Sequence, residues 1–300
     1  MSDTSLLRES DRLLLEATMS RSRRVRDGLA SVWMLGSVVI ALIPLGVVIF
    51  YVVSKGLSVI DGNWFTKDLP AVSTKPGGGM GPAIIGTLLI TAGAAVLAVP
   101  LGILGAIYLH EYGGPGRLAA VIRTMADVMT GVPSIVMGLF IYSTWTVAFG
   151  LNGIGGSLAL ACLMLPIVIR STEEMLKLVP DELRQGSYAL GNRKWRTILT
   201  VVLPSAFGGI VSGVMLAIAR AAGETAPLLF TIGAARKLNT DLLNGPMNAL
   251  SVQIFQNAQT SFPAALDRAW GAALTLIAIV FVFTILARVV SARVAARHNA

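Results

Sequence analysis

The chain has 300 residues, 54% of them hydrophobic and only 13% charged, with a mean hydropathy of +0.73. A soluble domain carries about a quarter charged residues, so this composition excludes an ordinary soluble enzyme and predicts an all-α polytopic membrane protein. The formal net charge of +8 would suit nucleic acid if it formed one patch, but the basic residues are spread around apolar runs.

The first run covers 29–53 and follows Arg8, Arg12, Arg21, Arg23, Arg24 and Arg26. It is too long for a signal-peptide core and lacks a small-residue cleavage site, so it reads as a membrane span with a cytoplasmic N-terminus. Residues 1–28 read as a basic cytoplasmic segment, either a surface helix or disordered, and 29–300 as the transmembrane domain. About 20 residues cross the ~30 Å hydrocarbon core at 1.5 Å per residue. By that measure the other spans fall near 83–109, 128–149, 157–175, 206–230 and 270–290. Alternating sides puts seventeen Lys and Arg inside and six outside, the expected cytoplasmic bias, with both termini inside.

Between the first two spans lie Trp64-Phe65 and the run Gly77-Gly78-Gly79-Met80-Gly81. Glycine-rich loops can cradle phosphate, but the P-loop spacing is missing, and a flexible turn into the next helix is the simpler reading. No P-loop occurs elsewhere, so any ATP would have to bind a different chain. Cys162 has no partner for a disulfide and suits a small core position; His110 and His298 stand apart, which suggests no metal site.

The polar stretch 170–204 separates two apolar runs. Pro180 and Asp181 signal a helix start, with Asp181 as N-cap and Glu182 in the first turn, and Gly191 is a natural C′ stop. A second helix carries Trp195, Ile198, Leu199 and Val202 at i, i+3, i+4, i+7, a stripe expected to pack on the membrane helices, with Arg193, Lys194 and Arg196 turned elsewhere. The surface offered to a soluble partner is then Gln185, Gly186, Ser187, Tyr188, Ala189, Leu190 and Gly191.

Arg220 and Glu224 are charges inside an apolar run, where an arginine costs about 2.5–3.5 kcal/mol on insertion scales. At 100° per residue they share a face with Gly209, Gly213 and Ala217, a small-residue stripe on which another helix can approach closely. They are one turn apart and can pair, and Pro227 should bend the helix beside them. One reading makes Arg220 a donor fork for a passing oxyanion, with Glu224 neutralising it when the path is empty. The other makes the pair a lock between helices.

The 170–204 loop resembles the "EAA" coupling loop of binding-protein-dependent ABC import permeases, with Gly191 at the motif glycine and Leu203-Pro204 at its end. Gln185 stands where a glutamate is usual. The runs Gly131-Val132-Pro133-Ser134-Ile135, Leu165 to Arg170 and Gly213 to Phe230 resemble the PstA family of phosphate-importer subunits. That resemblance implies a six-helix type I ABC importer permease of the bacterial inner membrane, itself not an enzyme. It implies a PstC-like second permease, two copies of a PstB-like ATPase carrying ATP and Mg, and a PstS-like phosphate-binding protein outside. It also implies that Arg220 and Glu224 matter for phosphate passage. The alternatives are another oxyanion or solute, or a stand-alone secondary transporter; inverted repeats or an acidic proton relay would mark the last, and neither is visible.

Overall fold

In lipid the backbone must satisfy its own hydrogen bonds, which long uncharged runs do by folding as helices. The computed structural model describes residues 21–114 and 116–298, and its described residues contain helices and no strand. The first twenty residues of the predicted basic segment lie outside them. In chain order the helices are α1 (Arg21–Leu57), α2 (Gly81–Tyr112), α3 (Arg117–Gly131), α4 (Ser134–Phe149) and α5 (Gly153–Lys177). They continue with α6 (Asp181–Ala189), α7 (Lys194–Ala222), α8 (Ala226–Thr231), α9 (Leu250–Ala258) and α10 (Pro263–His298). The chain divides into two compact units, Met1–Val53 and Ser54–Ala300. In the first, α1 is apolar enough to cross a membrane, as the 29–53 run predicts.

In the second unit the core is α2 against α5, a seam in which Gly93 meets Ser157 and Gly102 meets Val168. Both numbers rise together, so the two helices run parallel. The chain must therefore cross back between them, and α3 with α4 forms that crossing. It is a broken span: its halves are bent by 107° at Val132-Pro133. This corrects the single helix expected over 128–149. Pro133 has no N–H to donate and forces the residue before it out of the helical region; Val132 accordingly sits extended at φ −69°, ψ 127°. α7 runs antiparallel to α5, with a Cβ on Gly209 colliding with Met175 and one on Gly213 with Ser171. The small-residue stripe is a packing seam, as its spacing suggests.

The span expected over 206–230 also breaks. α7 stops at Ala222, Gly223 caps it, and α8 starts afresh with Pro227 in its first turn. Proline is tolerated there because that N–H would be unpaired anyway. The segment between α8 and α9 is exposed in its middle and buried at both ends. Ile232, Met247, Asn248 and Ala249 are buried, as is Leu250 at the start of α9, whose amide donates to the Thr87 hydroxyl of α2 (2.8 Å). Asp241 pins the connecting turn: the Asn244 side chain, then the Leu243 amide, hold its carboxyl below the usual carboxylate range. The turn lets the Leu242 carbonyl accept from Ile154 (2.8 Å) at the start of α5. In the Gly77–Gly81 run, Gly77 and Gly78 form an exposed turn at positive φ, while Gly79, Met80 and Gly81 are buried. Trp64 is buried with its indole N–H on Thr275 (2.9 Å), and a Cβ on Gly79 would strike the Lys67 carbonyl.

Candidate functional site: a broken-helix cavity and a docking helix

The two helix breaks meet. Val132, Pro133 and Ser134 at the α3–α4 break, Pro166 and Ile167 of α5, and Arg220 with Glu224 line one cavity of about 250 Å³. A second, more apolar cavity of about 590 Å³ opens on the other side of the pair, toward Ile277 and Phe281 of α10. Arg220 and Glu224 stand between the two.

The pair itself is loose. Arg220 Nε lies 3.8 Å from Glu224 Oε1, and the side chains are 68% and 20% exposed. An ion pair that locked two helices of this chain would be buried between them. This arginine instead presents its guanidinium outward, where bare lipid would be costly and either water or another subunit must cover it. The break adds polarity. Ser134 starts α4 without a side-chain cap, and helix N-termini leave amide N–H groups unpaired. Ser251 of α9 donates to the Glu224 carbonyl (2.8 Å), a backbone group freed by the end of α7.

At the other end of α5, the stretch expected to face a partner forms α6. Gly191 has φ +79° at C′, and the amides of Gly191 and Asn192 bond the carbonyls of Tyr188 (2.9 Å) and Ser187 (3.2 Å). Those two bonds complete a Schellman stop. Asp181 is not the cap: Pro180 holds that position, and Asp181 is the first helical residue, its carboxylate accepting from Arg184 (2.9 Å). Gln185, Gly186, Tyr188, Ala189, Leu190 and Gly191 are exposed, with Leu190 at 84%. Ser187 departs from the set; it is buried, its hydroxyl paired with that of Thr197 (2.8 Å). The stripe on the next helix also departs from expectation. Ile198 and Val202 are buried, but Trp195 and Leu199 are more than half exposed. A π turn at Ile198–Val202 breaks the 3.6-residue period, so four positions spaced for one face do not share it. Trp195, Leu199 and Leu190 therefore add apolar surface to this end of the chain.

Sequence reading missed what holds α6 in place. Arg184 is nearly buried and donates to Glu111 Oε1 (3.2 Å) and to the carbonyls of Leu176 (2.9 Å) and Val179 (2.7 Å). It thus ties α6 to the ends of both core helices, α2 and α5. Nearby, buried Glu173 of α5 accepts from Arg123 of α3 (3.2 Å) and Arg170 (3.4 Å), and Arg170 also bonds Asp127. A chain of polar contacts therefore runs from α6 through the ends of α2 and α5 to α3.

The family model of the binding-protein-dependent transport system inner membrane component matches residues 98–297, from the middle of α2 almost to the end of α10. The chain belongs to that family. Among curated members it is 46% identical over 262 residues to the phosphate transport system permease protein PstA 1 of Mycobacterium tuberculosis, covering 86% of each chain. It is 41% identical over 287 residues to the PstA protein of Yersinia pestis, covering 95% of this chain and 97% of that one. In fold it is similar to the inward-facing methionine ABC transporter MetNI, with a TM-score of 0.59, 16% identity, and coverage of 71% of this chain and 94% of that one. The helical architecture is that of a type I ABC importer permease.

For this family member, Gly191→Val should separate docking from insertion. Nothing lies within 4 Å of a Cβ built there, but φ +79° is strained for any side chain, most of all a β-branched one. We expect membrane insertion at the parental level and a loss of ATPase copurification of several-fold or more. Pull-down from solubilised membranes measures both, and undiminished copurification would remove α6 as the docking element.

Proposed function

We propose that this chain is one of the two membrane subunits of an ATP-driven importer of inorganic phosphate. In this reading a separate ATPase hydrolyses ATP, a second permease subunit covers the outward face of Arg220, and an external binding protein delivers phosphate. The termini and α6 face the cytoplasm. The observation that carries the reading is Arg220, a mostly exposed guanidinium at the meeting of two broken helices and only loosely held by Glu224. Its planar fork of donors matches a tetrahedral oxyanion, and the likeness to proteins named as phosphate permeases selects phosphate among oxyanions.

Coupling would be mechanical. Closure of the ATPase dimer displaces α6, and Arg184 passes that displacement to α2 and α5 through Glu111 and the Leu176 and Val179 carbonyls. The α3–α4 break, braced by Glu173, then shifts relative to Arg220 and changes the side on which the cavity opens.

Reconstitution tests this. The full complex is placed in liposomes with the binding protein and labelled phosphate in the lumen and ATP in the medium. Phosphate should leave toward the side that bears α6 and ATP, and excess sulfate should compete poorly. Sulfate transported in preference to phosphate, or phosphate movement without ATP, would refute it.

A further inference from the structure

A third cavity, of about 230 Å³, lies away from Arg220, at the end of the bundle opposite α6. Its walls come from the 69–73 loop, the turn after α8, α9 and the first turns of α10. The chemistry there is mainly cationic, with the carboxylate of Asp267 the acid acting on Arg268. Arg236 and Arg268 line it together with Gln253, Gln256, Asn257 and Thr260.

Arg268 is only 3% exposed, and its two terminal nitrogens donate to the carbonyls of Lys75 (2.8 Å) and Ser73 (2.6 Å). Arg236 donates to the carbonyls of Pro70 (2.9 Å) and Ala71. Among the described residues, no carboxylate oxygen lies within 4.0 Å of either guanidinium. Asp68, on the adjoining loop, accepts instead from the Leu238 amide (2.9 Å). A buried cation is ordinarily paired with an anion. Carbonyl oxygens orient these two forks, yet they carry no full charge and occupy only part of each fork's five donors. Gln253 and Asn257, both buried on α9, bring further amide groups to the same wall.

Size restricts the occupant. At about 230 Å³ the space is below the ~300–1,000 Å³ of a drug-sized pocket. A small hydrated anion fits and a large solute does not. We propose that this pocket is a second oxyanion site, in which Arg236 and Arg268 hold a small tetrahedral oxyanion such as phosphate. α9 connects it to the first site, because Ser251 in its opening turn bonds the Glu224 carbonyl while Asn257 lines the pocket. Six residues of helix separate them, about 9 Å. The pocket's place on the route, ahead of Arg220, rests on the importer reading above; its chemistry does not.

The test uses the full chain in lipid nanodiscs carrying Arg220→Gln, so that the first site is disabled, titrated calorimetrically with inorganic phosphate and separately with sulfate. Saturable binding should persist in this background and weaken at least tenfold when Arg236→Gln is added. Arg268→Gln should abolish it, but that change also releases the 73–75 loop. Arg236→Gln also frees the Pro70 and Ala71 carbonyls, but at an exposed position; Arg236 therefore carries the comparison, with Arg236→Lys expected to keep most of the binding. Absence of saturable binding by either anion in the Arg220→Gln chain would overturn the proposal, as would binding indifferent to Arg236→Gln. Sulfate bound while phosphate is not would uphold the oxyanion pocket and overturn phosphate as its occupant.

Discussion

Arg220→Gln should cut ATP-driven phosphate uptake by about 10- to 100-fold while the complex still assembles. A hydrogen bond to a charged group contributes about 1.5–3 kcal/mol, and about 1.4 kcal/mol is a factor of ten. Loss of stability should be small, because the guanidinium is 68% exposed and 3.8 Å from its partner; exposed ion pairs contribute about 0–1 kcal/mol. Glu224→Gln should act differently. It leaves the cation without its competitor, so phosphate is held longer and turnover slows while half-saturation falls. Thermal unfolding of the detergent-solubilised complex, measured beside uptake, separates the roles: a lock between helices would lower the melting temperature, and a pathway arginine would leave it in place.

Arg184→Met should uncouple the transporter. The substitution keeps much of the side-chain volume but strands Glu111, whose side chain is 5% exposed. Breaking a buried pair from one side costs about 3–5 kcal/mol, and here the cost falls on the junction of α6 with α2 and α5. We expect ATP hydrolysis to continue while uptake falls at least tenfold, and amide exchange across residues 178–192 to quicken. Adding Glu111→Gln removes the stranded charge and should restore packing more than transport, since the bonds to the Leu176 and Val179 carbonyls are still missing. Uptake in proportion to hydrolysis in Arg184→Met would show that force does not pass through this residue.

The spans were readable where one uninterrupted helix crosses, as at 29–53 and 157–175, because run length alone reports them. Breaks were harder to read. Hydropathy is indifferent to whether Val132-Pro133 lies inside a helix or between two, and the bend assigned to Pro227 is in fact a full stop at Gly223. Trp195 and Leu199 were misplaced because a π turn leaves no mark in apolar spacing. α9 went unread for a different reason. Ser251, Gln253 and Asn257 look like loop residues until they are seen satisfying one another and the end of α7 in the interior. Arg184 and Glu111 are 73 positions apart, and nothing local in the chain marks them as partners. Arg220 and Glu224 were found because a charge in an apolar run is expensive enough to need a reason. Gly191 was found because a left-handed stop favours glycine.

Whether Arg220 touches the transported anion is decided by the double substitution Arg220→Gln with Glu224→Gln. Replacing both ends of a structural ion pair with neutral groups is often close to neutral for stability, so a pair that only joined helices would be rescued. A guanidinium that binds the substrate would not, because its donor fork is still absent. Uptake by the assembled double mutant should therefore stay at the low level of Arg220→Gln alone. Phosphate uptake near the parental rate would show that Arg220 does not hold the anion.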